Sequence, residues 1–73
     1  MPIVNFKLTD QNISVDQKKA LIEGATELLV QVLNKPRSTI DVIIEEVNLD
    51  NWGVGGKTIR EIQQQLHLNS KKD

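Results

Sequence analysis

The sequence predicts an α/β fold, one short βαβ unit forming a single domain over residues 1–73, and three features predict it. Two segments, near 3–8 and 39–47, alternate residue character at period two, the signature of strands with one buried face. Between them runs a segment whose apolar residues recur at helical spacing. Strand, helix and strand in that order make a right-handed unit with its two strands parallel.

In the first strand Val4, Phe6 and Leu8 alternate with Ile3, Asn5 and Lys7. Ser14 followed three positions later by Gln17 fits a capping box, in which hydroxyl and amide satisfy free donors at a helix start. Leu21, Ala25, Leu28, Leu29 and Val32 then predict a helix from Val15 to Leu33 that buries this stripe. Asn34 suits a left-handed cap, and Lys35 is disfavoured in the α region because Pro36 follows it. In the second strand, about Thr39 to Val47, Ile40, Val42 and Ile44 alternate with Asp41, Ile43 and Glu45. The turn formers between Asn48 and Gly56 read as a loop or short hairpin. Ile59, Ile62 and Leu66 suggest a short amphipathic helix from Thr58 to about Leu66 that packs on a neighbour, with Asn69 to Asp73 frayed.

A chain of 73 residues is at the edge of what one core can stabilise, so a further device is expected. The absence of cysteine excludes a disulfide framework, and a lone His67 gives no basis for a zinc site. Association with other subunits is the device that remains, and two strands alone would leave unpaired edges that a partner could cover. Nine basic residues against ten acidic ones give no general pull toward nucleic acid or anionic membrane. The two aromatic residues, Phe6 and Trp52, are too few for a base-stacking platform. No leader pattern and no membrane-spanning apolar run is read, so the expected compartment is the cytoplasm. Gly53-Val54-Gly55-Gly56-Lys57-Thr58 fails as a phosphate loop, because Asn51 stands where that motif needs its first glycine.

Pro2 directly follows Met1 and opens the first strand. Removal of the methionine would leave a secondary amine held by that strand, and this amine is a candidate catalyst. Pro2 also has a plain reading, since proline is common at a second position.

From Pro2 through Gly56 the chain resembles the small tautomerase family of 4-oxalocrotonate tautomerase. The matching pieces are Pro2-Ile3-Val4, Asp16-Gln17-Lys18, Pro36, Val42-Ile43-Ile44-Glu45-Glu46 and Trp52-Gly53-Val54-Gly55-Gly56, with about one residue inserted near Gln11 to Ile13. The resemblance implies pairing of two βαβ units into a four-stranded sheet, and assembly of dimers into a homohexamer, a trimer of dimers. It also implies an isomerase that interconverts keto and enol forms of a small carbonyl substrate with Pro2 as catalyst and no cofactor. The family carries two arginines that this chain lacks: Asp10 to Ile13 occupy the stretch of one, and Asp41 the place of the other.

The chemistry needs a base near neutral pH, and a prolyl amine is protonated in water unless apolar neighbours disfavour its charged form. Ile3, Ile43, Trp52 and Val54 are candidates for that role, with Trp52 a pocket wall between subunits or simply an interface side chain. A neutral Pro2 nitrogen would take a proton beside a carbonyl, or from an enol hydroxyl, and return it elsewhere on the conjugated system. Arg37, four residues before Asp41, is the candidate clamp for a substrate carboxylate, or else a solvated surface charge. Asp41 and Glu45 share a strand face, and a carboxylate beside Pro2 would favour its ammonium form. That opens an alternative in which Pro2 is an acid and Asp41 activates water for hydration, decarboxylation or dehalogenation. A third reading is an inactive oligomer kept for binding or scaffolding. His67 is read as a surface imidazole.

Overall fold

The computed structural model describes residues 2–70, and the expectation for the last three residues lies outside them. Strand β1 (Ile3–Thr9) pairs in parallel with β2 (Asp41–Val47), in a register running from Ile3 opposite Asp41 to Thr9 opposite Val47. The pairing is closed at both ends by main-chain bonds, Asp41 N–H to Pro2 C=O at 3.0 Å and Asp10 N–H to Val47 C=O at 2.8 Å. Helix α1 (Val15–Leu33) forms the crossover, so the expected βαβ arrangement and its parallel strands are present.

Helix α1 begins and ends where the sequence signals lie. The Ser14 hydroxyl accepts from Gln17 N–H at 3.0 Å, and the Gln17 side chain accepts from Ser14 N–H at 2.9 Å, a complete capping box. At the other end Asn34 adopts φ 55° and donates its N–H to Val30 C=O, which satisfies a carbonyl left free by the helix.

The second strand starts two residues later than the sequence suggests. Arg37–Thr39 instead form a 3-10 turn, because Thr39 donates both its N–H and its hydroxyl to Pro36 C=O and Ile40 N–H binds Arg37 C=O. Ile40, delivered by this turn, is one of the two buried apolar side chains among the described residues, with Ala25. The helix stripe is only partly covered. Leu28 and Val32 are 60% and 69% exposed, against the expectation that they are buried. Two strands about 5 Å apart cannot shield a helix about 10 Å across, so one flank of α1 overhangs the sheet.

Beyond β2, a 3-10 turn (Leu49–Asn51) leads into a hairpin of β3 (Gly53–Val54) and β4 (Lys57–Thr58). Gly55 and Gly56 both have positive φ, 60° and 88°, as a two-residue turn matched to strand twist requires. Helix α2 (Ile59–Ser70) follows and runs past the expected stop near Leu66, so Asn69 and Ser70 are helical. It packs on the Leu49–Asn51 turn and β4. The result is elongated, 52 × 24 × 20 Å. Its radius of gyration is 16.8 Å, whereas a compact chain of this length has roughly 11 Å.

A second capping box starts α2: Thr58 donates its N–H and hydroxyl to the Glu61 carboxylate, and Glu61 N–H binds Thr58 Oγ1, each at 3.1 Å. The Thr58 main-chain bond, then its hydroxyl, and also the charge of Lys57 hold the Glu61 pKa below its ordinary 4.5.

Two predictions concern the helix starts. Ser14→Ala is expected to cost about 1 kcal/mol through loss of the α1 cap, read from urea unfolding by far-UV circular dichroism at fixed protein concentration. Because the folded-state pKa of Glu61 is depressed, its stabilisation is complete above pH 4.5 and is lost as pH falls through the lower folded value. Glu61→Gln should therefore lower the melting temperature at pH 7, with the difference from the parent closing under acid conditions. A constant difference at every pH would count against this account of the cap.

Candidate active site

Pro2 is half-buried at the N-terminal end of β1, and its carbonyl is the acceptor that begins the pairing with β2. A single bond therefore ties Pro2 to Asp41. By the register, Ile3 and Asp41 are direct neighbours on one sheet face, with Asn5 beside Ile43 and Lys7 beside Glu45 further along. The face is exposed and mixed: two apolar side chains, Ile3 and Ile43, lie among amide, amine and carboxylate groups.

The charges along the sheet and on the turn into β2 divide into held and unheld groups. Glu45 accepts from the Asn5 side-chain amide at 2.7 Å, and Glu46 on the opposite face pairs with Lys18 of α1 at 2.8 Å. Arg37 is exposed on the turn that leads into β2, and its guanidinium is paired with Glu27 of α1. Among the described residues, no ion pair is formed by Asp41. The residue whose main chain holds Pro2 thus carries a carboxylate rather than a cation.

Trp52 and Val54 belong to the hairpin segment. Trp52 is half-buried, and its carbonyl accepts from Ile59 N–H at 2.8 Å, which fixes the start of α2 to the base of the hairpin. The described residues include no cluster of histidine, cysteine and carboxylate suited to a metal ion. His67 is exposed on α2. Of the sequence candidates, the structure joins Pro2 and Asp41 directly and sets Arg37 four residues upstream. Trp52 lies on the next segment of chain. Glu27 was not anticipated, since no local pattern relates a mid-helix glutamate to an arginine ten residues on.

A chain that starts with a proline-led strand, crosses over through one long helix and finishes in a glycine-turned hairpin carrying Trp52 has the layout of a small tautomerase subunit. Residues 2–62 match the family model for tautomerase enzymes, and the chain belongs to that family. A probable tautomerase of Dickeya dadantii is 49% identical over 65 residues, covering 89% of this chain and 97% of that one. The 2-hydroxymuconate tautomerase of Comamonas testosteroni is 39% identical over 49 residues, 67% of this chain and 78% of its own. Among solved structures, DmpI from Helicobacter pylori superposes with a TM-score of 0.80 at 43% identity, over 86% of this chain and 97% of that chain. No helix among the described residues is long and apolar enough to cross a membrane.

Both partners of the Arg37–Glu27 pair are well exposed, and such pairs contribute about 0–1 kcal/mol. Glu27→Gln is accordingly expected to shift the unfolding free energy by less than about 1 kcal/mol while releasing Arg37, as measured by denaturant titration. A larger loss would mean that the pair anchors the turn into β2.

Proposed function

We propose that this chain is an isomerase that interconverts the keto and enol forms of a small 2-keto acid, with the Pro2 nitrogen, exposed by removal of Met1, as general base. The observation that carries this reading is the tethering of Pro2: its carbonyl is bonded to Asp41 N–H, so the chain start is held in a strand rather than free. Family membership and the relative named for 2-hydroxymuconate, itself an enol, support the same class of chemistry.

In this reaction neutral Pro2 accepts the enol hydroxyl proton or a proton from the carbon next to the carbonyl. The electron pair moves through the conjugated system, and the prolyl ammonium returns the proton at the other end. Ile3 and Ile43 lie at the same end of the sheet and would disfavour the ammonium form, as would Trp52 and Val54 of another subunit. Arg37 is the candidate partner of the substrate carboxylate, in exchange for Glu27. No cofactor takes part. The active assembly is a homohexamer of paired subunits, in the cytoplasm. The free edges of the β1–β2 sheet and the overhanging flank of α1 support association.

A second reading rests on Asp41. Its nearness to Pro2 favours the ammonium form, so Pro2 would act as acid while Asp41 activates water in a hydration, decarboxylation or dehalogenation. A third, in which the assembly binds without catalysis, would be favoured by a buried Pro2 with Met1 retained, and intact mass reads Met1 directly.

The deciding assay is ketonisation of enol-phenylpyruvate from pH 5 to 9. With Pro2 as base, turnover rises with pH as the amine loses its proton, Pro2→Ala reduces it by about 100-fold or more, and Arg37→Ala raises KM. Full activity in Pro2→Ala would rule the proline mechanism out. Silence of the parent with turnover in Asp41→Arg would favour a scaffold whose chemistry has moved.

A further inference from the structure

Three cations are engaged within the chain: Lys18 is paired with Glu46, Arg37 with Glu27 and Arg60 with Asp50. Lys57, exposed on β4, forms no ion pair among the described residues. Glu61 feels its charge, but the Glu61 carboxylate accepts from the Thr58 N–H and hydroxyl instead. The main chain around Lys57 is nonetheless fixed. The Gly55-Gly56 turn precedes it, Thr58 after it is bound into the cap of α2, and Ile59 N–H is bonded to Trp52 C=O at 2.8 Å. An ammonium without an ion-pair partner thus projects from a well-anchored hairpin.

What separates Lys57 from exposed lysines such as Lys19 is its neighbours. In the hairpin register Lys57 stands directly opposite Val54. Opposite residues of an antiparallel pair project to one side, with Cβ atoms about 5 Å apart. Trp52 is extended, φ −117° and ψ 115°, and lies two residues before Val54, so it shares that side. Trp52, Val54 and Lys57 therefore make one surface, two apolar side chains with an ammonium at the edge. Trp52 and Val54 are the residues that the reading above brings to Pro2 from another subunit, and Lys57 arrives with them. We propose that Lys57 is a substrate-binding residue acting across subunits: its ammonium holds the oxygen-rich end of a 2-keto acid, the carboxylate and the adjoining carbonyl oxygen, over the Pro2 of a neighbouring chain. When Pro2 takes the enol hydroxyl proton, negative charge gathers on that oxygen, and the ammonium attracts it more strongly than the neutral group. Return of the proton to carbon restores the neutral carbonyl. The apolar neighbours exclude water, which strengthens the attraction. The inference rests on the proline reading and adds to it a cation that neither Asp41 nor the engaged Arg37 supplies at rest.

Turnover of enol-phenylpyruvate is compared in the parent, Lys57→Ala, Lys57→Arg and Lys19→Ala, with sedimentation velocity following the assembly. Lys57→Ala is expected to lower kcat on the order of tenfold or more while sedimenting as the parent does. Lys57→Arg keeps the charge and most of the turnover, and Lys19→Ala, which removes the same charge from α1, matches the parent. Lys57→Met, which keeps the stem without the charge, answers if Lys57→Ala does not assemble. A second arm co-expresses Pro2→Ala with Lys57→Ala chains. Sites that combine an intact Pro2 from one chain with an intact Lys57 from another arise by chance, so mixed assemblies regain about a quarter of the parent's turnover. Full turnover in Lys57→Ala, with Pro2→Ala inactive, would overturn the role of Lys57 and leave the proline reading standing. A loss in Lys57→Ala that mixing does not relieve would overturn the action across subunits. A parent without turnover would overturn both readings.

Discussion

The structure depends on the parallel pairing of β1 with β2, seven residues against seven, and on how narrow that pairing is. Its first main-chain bond, from Asp41 to Pro2, sets the register for the whole unit. A register slip by one residue would turn the apolar set of the slipping strand, Val4 and Phe6 or else Val42 and Ile44, away from α1, so the apolar pattern enforces the same alignment that fixes Pro2. A chain start that would ordinarily fray is thereby part of the most specified segment of the fold. The proposed catalytic role of Pro2 is physically reasonable for that reason.

Narrowness has the opposite consequence on the other side of the unit. Two strands give α1 a floor about one helix radius wide, which suffices for Ala25 and Ile40 but leaves Leu28 and Val32 in water. A chain of this length also lacks the residues to build a third layer over that flank, and the C-terminal hairpin and helix extend away instead. Much of the apolar surface that the sequence supplies is therefore useful only between chains. In the proposed assembly folding and association would be one problem, and stability would depend on concentration.

What the sequence made legible follows the same division. Signals that act within a few residues were readable: the Ser14/Gln17 box and Asn34 delimit α1, and Gly55-Gly56 marks the hairpin turn. The βαβ order and its parallel strands were readable too, because period two and helical spacing are each set by one neighbouring layer. Misjudged positions depend on what is not local. Leu28 and Val32 carry the right pattern for burial, but pattern records a side's character and not the width of what covers it. The second strand starts late because Pro36 C=O captures Thr39, a competition that β-branched residues conceal. Helix α2 outlasts its apolar pattern because no glycine or proline stands between Leu66 and Ser70; a helix ends at a stop signal, not where its stripe runs out.

The pairing of Arg37 with Glu27 bears on whether the end of the sheet near Pro2 can accept an anion. With Arg37 engaged and Asp41 unpaired, the local balance at rest is unfavourable to a carboxylate. Magnitudes decide which state a substrate meets. The Arg37–Glu27 pair is exposed, so breaking it costs about 1 kcal/mol at most. A guanidinium–carboxylate bond sheltered from water contributes about 1.5–3 kcal/mol, so a substrate carboxylate in a covered site outcompetes Glu27. Coverage is what the single chain does not provide, since the sheet face carrying Ile3, Asp41 and Ile43 is open. Whether Arg37 can serve as the proposed clamp would therefore turn on neighbouring subunits: in the proposed assembly, the surfaces that close the site would also strengthen its bond to a substrate carboxylate.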